Sequence, residues 1–461
     1  MNPPLLPLIT VTVLAACVQA LPVAVGAMEL RRSDENPAIA VEQEVERLTA
    51  ANAGKEALWP GFDPLAIPLA VYDGEQTFLF RHPAPPDGFA PVAGAAPGTW
   101  AWKGRHEAIT ANTNSEIGGV PTATLIVDRA QPGRSFLNLA AVAIHEGFHV
   151  YQRARHPGWI GNEADLFVYP TDSADLLALR RLETEALRRA LAADDAAGAA
   201  CWARRALALR GERYARMDSA FAAYERGTEL NEGLATYVEM RAAGRPAVDL
   251  PQAEFGPAEV RRRAYATGPA FALLLDRFKP GWPAALEAND QQTLDEVLTA
   301  ALGTGNPCTF DDAAVAGAEQ KARTDVAALA GDRERQLVAF EGKPGWRVVV
   351  EAGGGEPLWP QGFDPLNVER VGAGRVLHTR YLLLGNAAGR LEVLNAEVLT
   401  DGAGPHPLFQ GVRRVELTGL VKPEVSEAEG EVSVRAPGLT LEFKGSSVTQ
   451  SGEVITVRLG S

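Results

Sequence analysis

Cysteine is scarce in this 461-residue chain, with three residues in all. No cysteine cluster has metal-binding spacing, so any metal site must use other side chains. Cationic residues are also in deficit. Against 58 Asp and Glu stand 44 Lys and Arg, a formal net charge of −14. A nucleic-acid partner needs a basic face and is not expected; the charge favours solubility and says little about fold. Repeats of short period are absent, which excludes a solenoid. Composition is otherwise that of a globular protein, 46% hydrophobic and 22% charged. The length exceeds one ordinary core, so two or three domains are expected.

One more absence marks the N-terminus. Leu5 to Gly26 is almost continuously apolar, yet no Lys or Arg precedes it. Residues 1–27 still read as an export signal, with small residues at Val18-Gln19-Ala20 and Val25-Gly26-Ala27 suited to a signal peptidase. A misplaced start codon would account for the missing charge. The run is borderline in length for a membrane anchor. Leu14-Ala15-Ala16-Cys17 resembles a bacterial lipobox, in which Cys17 would carry the lipid; the alternative is a chance cysteine in an alanine-rich leader. The expected location is periplasmic or extracellular, with any membrane contact through this segment. Beyond it only Cys201 and Cys308 remain. They either pair or stay as two free buried thiols, and the sequence leaves both open.

Periodicity divides the rest. Residues 36–54 predict a helix. Ile67–Tyr72 and Gln76–Arg81 flank Asp73-Gly74, a hairpin signal. Thr99–Lys103, Ala108–Asn112 and Thr122–Asp128 complete a small sheet of about five strands. Helical spacing then covers Phe136–Arg155, 172–194, 197–225, Leu230–Arg241, Val260–Arg277, 291–302 and 312–330. Ala193-Asp194-Asp195 reads as the turn of an antiparallel hairpin. From about residue 340, short alternating strands punctuated by Gly predict a sandwich or small barrel. The segment Leu58-Trp59-Pro60-Gly61-Phe62-Asp63-Pro64-Leu65 recurs with one insertion at Leu358–Leu366. Either a strand-entry module is duplicated or two surface loops share a ligand. Packing is favoured, because Trp and Phe in loops more often pack than catalyse.

The chemistry centres on His145-Glu146-Gly147-Phe148-His149. On a helix, positions i and i+4 share a face, so both imidazoles can reach one Zn²⁺. Glu146 can then take a proton from metal-bound water. The run Leu137–Ile144 is apolar or small apart from Asn138, which implies a buried helix. A surface helix carrying a chance match is the alternative; the flanks oppose it, since buried polar groups without partners are costly. Gly147 lowers helix propensity by about 1 kcal/mol against Ala, suggesting close packing there.

A catalytic zinc site needs a third protein ligand and an open position. Leu230-Asn231-Glu232-Gly233-Leu234-Ala235, downstream of the His-Glu-x-x-His segment, resembles the gluzincin metallopeptidases, locally the aminopeptidase-like branch. The resemblance implies Glu232 as third ligand, with Glu229 as rival. It also implies a catalytic tyrosine in a Tyr-x-x-Gly segment, here Tyr265-Ala266-Thr267-Gly268, whose hydroxyl would stabilise an oxyanion; a core tyrosine is the alternative. His156 is a weaker candidate that caps the helix, and Arg261–Arg263 either bind a substrate carboxylate or, the favoured reading, form a solvated charge run. Two departures stand out. Glu232 follows His149 by 83 residues, where the family needs about two dozen; residues 172–225 would be an inserted hairpin. The Gly-x-Met-Glu-Asn segment that binds a substrate N-terminus is absent before His145. The strand near Thr122–Asp128 is the expected edge for peptide pairing, with Ser115–Gly119 as a nearby loop.

The expected fold is α+β. After the signal, residues 28–130 form an N-terminal α+β part, 131–335 the helical zinc-binding part of a zincin-like unit, and 340–461 an all-β domain. The expected function is an exported zinc metallopeptidase acting on peptides or proteins, with His145, His149 and Glu232 on the metal and Glu146 and Tyr265 in catalysis. The alternative is a non-catalytic binding protein with a structural zinc site and a β domain that binds glycan or peptide. Oligomeric state is not legible.

Overall fold

The computed structural model describes residues 12–13, 36–52, 57–127, 135–251, 255–372, 374–404, 406–428 and 430–460. Apart from Thr12–Val13, the expected signal and its Cys17 lie outside them. Among the described residues no helix is long and apolar enough to cross a membrane. The chain is mixed α and β, with a small sheet, a helical block and an all-β C-terminal region.

Helix α1 (Pro37–Asn52) starts at Asn36, whose side chain accepts from Ala38 N at 2.9 Å. A polar cap followed by Pro at the first helical position is a favoured start. Taking Thr12–Val13 as β1, the first sheet contains β2 (Leu69–Tyr72), β3 (Gln76–Phe80), β4 (Ala90–Pro91), β5 (Thr99–Lys103), β6 (Thr113–Ile117) and β7 (Val120–Ile126). Their order is β4-β5-β3-β2-β7-β6, with β2 and β7 parallel. Two expectations are corrected here. Ala108–Asn112 is not a strand, while Ser115–Ile117, expected as loop, belongs to β6. The strand β7 is therefore interior, and β6 is the edge.

The helical block comprises α2 (Phe136–Arg155), α3 (Glu163–Leu166), α4 (Ala174–Ala192), α5 (Ala196–Tyr214), α6 (Ser219–Thr228), a π-helical turn (Glu229–Gly233), α7 (Leu234–Ala242), α8 (Val260–Phe278), α9 (Trp282–Ala288), α10 (Leu294–Leu302) and α11 (Asp312–Glu341). The Ser135 side chain accepts from Asn138 N and caps α2. Its small residues Ala140, Ala141 and Ala143 are buried, and α2 lies against α1, β7 and α7. The α4/α5 hairpin turns where expected. The helix expected over 197–225 instead breaks after Tyr214, where Asp218 caps α6 by accepting from Ala220 N at 2.9 Å. From α6 the chain runs through the π turn into α7 without interruption, so Leu230 is interior to a helix rather than at its start. Cys201 and Cys308 form a disulfide, with Cα atoms 5.0 Å apart, joining α5 to the segment before α11.

Two seven-stranded sheets form the C-terminal region. One contains Trp359–Phe363, Tyr381–Asn386, Gly389–Leu394, Leu439–Lys444, Glu431–Ala436 and Glu424–Ala428, with Thr12–Val13 parallel to its first strand. The other contains Val368–Arg370, Arg375–His378, Val398–Gly402, Val412–Leu420, Trp346–Glu351, Val454–Arg458 and Ser447–Ser451. Inward residues of both, among them Val350, Val415, Leu382 and Val434, share one core, as in a sandwich. Val376–Leu384 and Arg390–Leu399, each expected as one strand, are two strands apiece that change sheet, the second at Asn395 with φ 55°.

The repeated segment does not make a duplicated module. Leu58–Leu65 is a turn that buries Trp59 against Phe148, Trp159 and Trp282 beneath α2. Its second copy is a strand whose Phe363 enters the sandwich core. Only the Asp-Pro-Leu portion keeps its local bond. Asp63 accepts from Leu65 N at 2.9 Å and Asp364 from Leu366 N at 3.0 Å. The expectation that both copies pack is met, and the shared strand entry is not.

His378 lies inside the sandwich, fully buried, with Thr400 Oγ1 3.4 Å from Nε2 and no partner for Nδ1. Burial depresses its pKa from 6.5 to about 3. The unfolded chain therefore takes up a proton below pH 6.5 while the folded chain does not. Stability is full above 6.5 and falls as pH drops toward 3, by about 1.4 kcal/mol per pH unit at most. Urea unfolding at pH 7.5 and pH 5 should show this loss, smaller by about 2 kcal/mol in His378→Gln. Equal losses in both proteins would refute the assignment.

Candidate metal centre

Helix α2 presents His145 and His149 on one face, with ring centroids 4.8 Å apart. Both are buried, as the apolar flanks of the motif imply. The π turn supplies the third group. Glu232 Oε2 lies 3.2 Å from His149 Nε2 and 3.7 Å from His145 Nε2. Three ligands at zinc–nitrogen or zinc–oxygen distances around one tetrahedral ion would stand roughly 3.4 Å apart. The three ligand atoms all lie within 4.8 Å of one another. This buried His145–His149–Glu232 group can hold a metal ion.

The His149 tautomer is fixed from behind. Gln152 Nε2 donates to Leu230 O at 2.9 Å and Asn231 O at 3.1 Å, which turns its Oε1 toward His149 Nδ1, 2.8 Å away. His149 thus carries its proton on Nδ1 and directs the Nε2 lone pair at the site. His145 Nδ1 has Glu239 Oε2 as a counter-charge 3.2 Å away, without hydrogen-bond geometry. Glu232 is oriented through its other oxygen. Oε1 accepts from Arg261 Nη2 at 2.6 Å and Asn231 Nδ2 at 3.2 Å.

Electrostatics follow from burial and neighbours. Burial alone would raise the Glu232 pKa, but His149, Arg261 and His145 hold it well below the usual carboxylate range. Burial would lower that of His145; Glu232, Glu239 and Glu146 raise it to about 10. Glu146 is pushed up to about 7, by burial first, against the two histidines. Glu146 Oε2 and the Tyr265 hydroxyl are both buried without a hydrogen-bond partner. Orphaned buried polar atoms are rare and costly, and two beside one His/His/Glu group point to a species bound there. Tyr265 lies on α8, its ring parallel to that of His145 at 6.3 Å.

Other sequence candidates fall elsewhere. Glu229 does not face the site: Arg210 binds both its oxygens, at 2.7 and 2.6 Å, and Thr267 Oγ1 donates to it at 2.6 Å. His156 stacks on Trp159 and bonds Glu287 Oε2 at 2.9 Å. The run Arg261–Arg263 is not solvated. Only Arg262 is exposed, while Arg261 and Arg263 are buried in ion pairs. Sequence reasoning missed Gln152, Glu239, Arg261 and Glu163. Gln152 and Glu239 had a usable signal, one turn after His149 and two turns after Glu232. Arg261 and Glu163 had none, because their roles depend on tertiary placement.

The close approach of α8 rests on glycine. A Cβ on Gly233 would stand 2.6 Å from the Gly268 Cα, backbone against backbone. On the far side, a Cβ on Gly161 would stand 2.9 Å from the Tyr224 carbonyl oxygen. These contacts seat the π turn on α8 and α6 on the segment after α2.

No protein-family model matches the chain, and no curated protein or solved structure matches it either.

Gly233→Ala should force α8 away from the π turn, costing about 1–3 kcal/mol as overpacking. It should also lower metal stoichiometry, because Glu232 is the preceding residue. Thermal melting and elemental analysis check both, and wild-type values for each would refute the crossing.

Proposed function

We propose that this protein is an exported zinc-dependent hydrolase that cleaves peptide bonds. The observation that carries the proposal is the buried His145–His149–Glu232 group with the unpartnered Glu146 Oε2 and Tyr265 hydroxyl beside it. Two imidazoles and one carboxylate are a donor set suited to catalytic zinc. A purely structural site would have no use for a free buried carboxylate next to it. The disulfide supports an oxidising compartment, consistent with export. The peptide bond as substrate rests on the gluzincin-like residues.

A bound Zn²⁺ would lower the pKa of its water toward about 7 and polarise the substrate carbonyl. Glu146 takes the proton as water attacks, then delivers it to the leaving amine. The Tyr265 hydroxyl donates to the carbonyl oxygen as negative charge grows there. Gln152 keeps the His149 imidazole in register, Glu239 stands as a counter-charge beside His145, and Arg261 occupies Glu232 Oε1 so that Oε2 faces inward.

Purified protein should contain one zinc per chain, and His145→Ala should lose it. A wild type without stoichiometric metal would sink the proposal. Glu146→Gln should retain zinc while peptide-library cleavage falls by about 10²–10⁴; full turnover in that variant would remove Glu146 as the base. Tyr265→Phe should lower kcat by about 10²–10³ with little change in KM. An unchanged kcat would return Tyr265 to a packing role.

A further inference from the structure

Glu163 has no part in the chemistry proposed above, yet it is buried next to it. It opens α3, a single helical turn capped by the Asn162 side chain, which accepts from Ala164 N. One side of α3 is fastened to the β-sandwich. The Ala164 carbonyl lies 3.1 Å from His406 Nδ1. Phe167, at the end of the turn, packs on Phe363 and Phe409, with ring centroids 5.6 and 5.5 Å away. The other side reaches the metal group. Glu163 Oε1 accepts from Arg261 Nη1, Tyr224 donates to Glu163 Oε2 at 3.3 Å, and Arg261 Nη2 donates to Glu232 Oε1 at 2.6 Å.

We propose that Glu163 is a positioning residue for the third metal ligand, held by the β-sandwich through α3 and acting on Glu232 through Arg261. Two effects combine. Arg261 is a buried cation that needs a counter-charge. With Glu163 present, that need is met largely away from Glu232, whose negative charge is left for a metal. Without it, Glu232 alone would balance the guanidinium, and cation and metal would compete for one carboxylate. The second effect is geometric: a guanidinium held at both ends cannot rotate, so Glu232 Oε1 stays occupied and Oε2 stays turned to the histidines. The sandwich is then part of the support of the metal site rather than an appended module. This inference rests on the metal reading given above.

The test uses the full chain and zinc itself. Zinc affinity is measured by competition with a chromophoric chelator, the visible spectrum of the cobalt-loaded protein reports ligand geometry, and a thermal melt of the metal-free protein reports folding. Glu163→Gln keeps the shape and removes the charge. It should melt near the wild type, bind zinc about 10–100-fold more weakly, and alter the cobalt spectrum. Glu163→Asp keeps the charge and should recover part of the affinity. Phe409→Ala touches neither Glu163 nor the metal group and should weaken zinc in the same direction by loosening α3. Zinc affinity within twofold of wild type and an unchanged cobalt spectrum in Glu163→Gln overturn the inference, while a zinc-bound wild type leaves the metal reading standing. Wild-type protein that binds no zinc overturns both. If Glu163→Gln does not fold, Phe409→Ala decides alone: weaker zinc supports the inference and unchanged zinc overturns it.

Discussion

Glu232 is an anion with almost no access to water, 1% exposed. An isolated carboxylate in that position would be neutralised rather than buried charged. Its ionised state depends on what surrounds it, His145 and His149 on one side and Arg261 on the other. Each partner then needs its own counter-group, which is how one buried charge organises a large part of the helical block. Arg261 answers to Glu163. One turn away in the π segment, Glu229 answers to Arg210, which is shared with Glu183, as are Arg213 and Arg263.

This network explains the long segment between the histidines and Glu232. Glu183 lies on α4 and Arg210 and Arg213 on α5, so the hairpin delivers the countercharges that fix the π turn from behind. Burial would raise the Glu183 carboxyl, but Arg210, Arg213 and Arg263 hold it well below its ordinary value. For Glu225 the same contest, with Arg213 the strongest opponent of burial, ends at about 2. Pairs of this kind add little net stability over apolar packing, but breaking one leaves a buried charge unpaired. Their effect is on which arrangement of helices is permitted.

Much of the candidate site was legible because helix geometry makes it local. His145 and His149 share a face through spacing alone, and the bounds of α2 followed from its apolar period. Glu232 was legible only through resemblance; composition and spacing left Glu229 equal to it. What separates them is the phase of the π turn, which local sequence does not specify. Arg261 and Arg263 were misread because a charge run on a helix is ordinarily solvated, and only the tertiary network overrides that. In the sheet, β6 was missed because Thr-Asn-Ser-Glu-Ile has little apolar alternation. Its place is set by pairing with β7. In the sandwich, strand content was legible but sheet exchange at Arg380 and Asn395 was not, since alternation continues through each corner.

The disulfide has a consequence for durability. Cys201 and Cys308 close a ring of the chain that contains Glu232, Arg261 and Tyr265, with His145 and His149 on the arm leading into it. A single peptide bond cut anywhere inside that ring yields two fragments that remain covalently joined. In the function proposed above, the chain would meet foreign proteases and its own activity. In this topology one nick between the cysteines does not let the imidazoles drift away from the carboxylate.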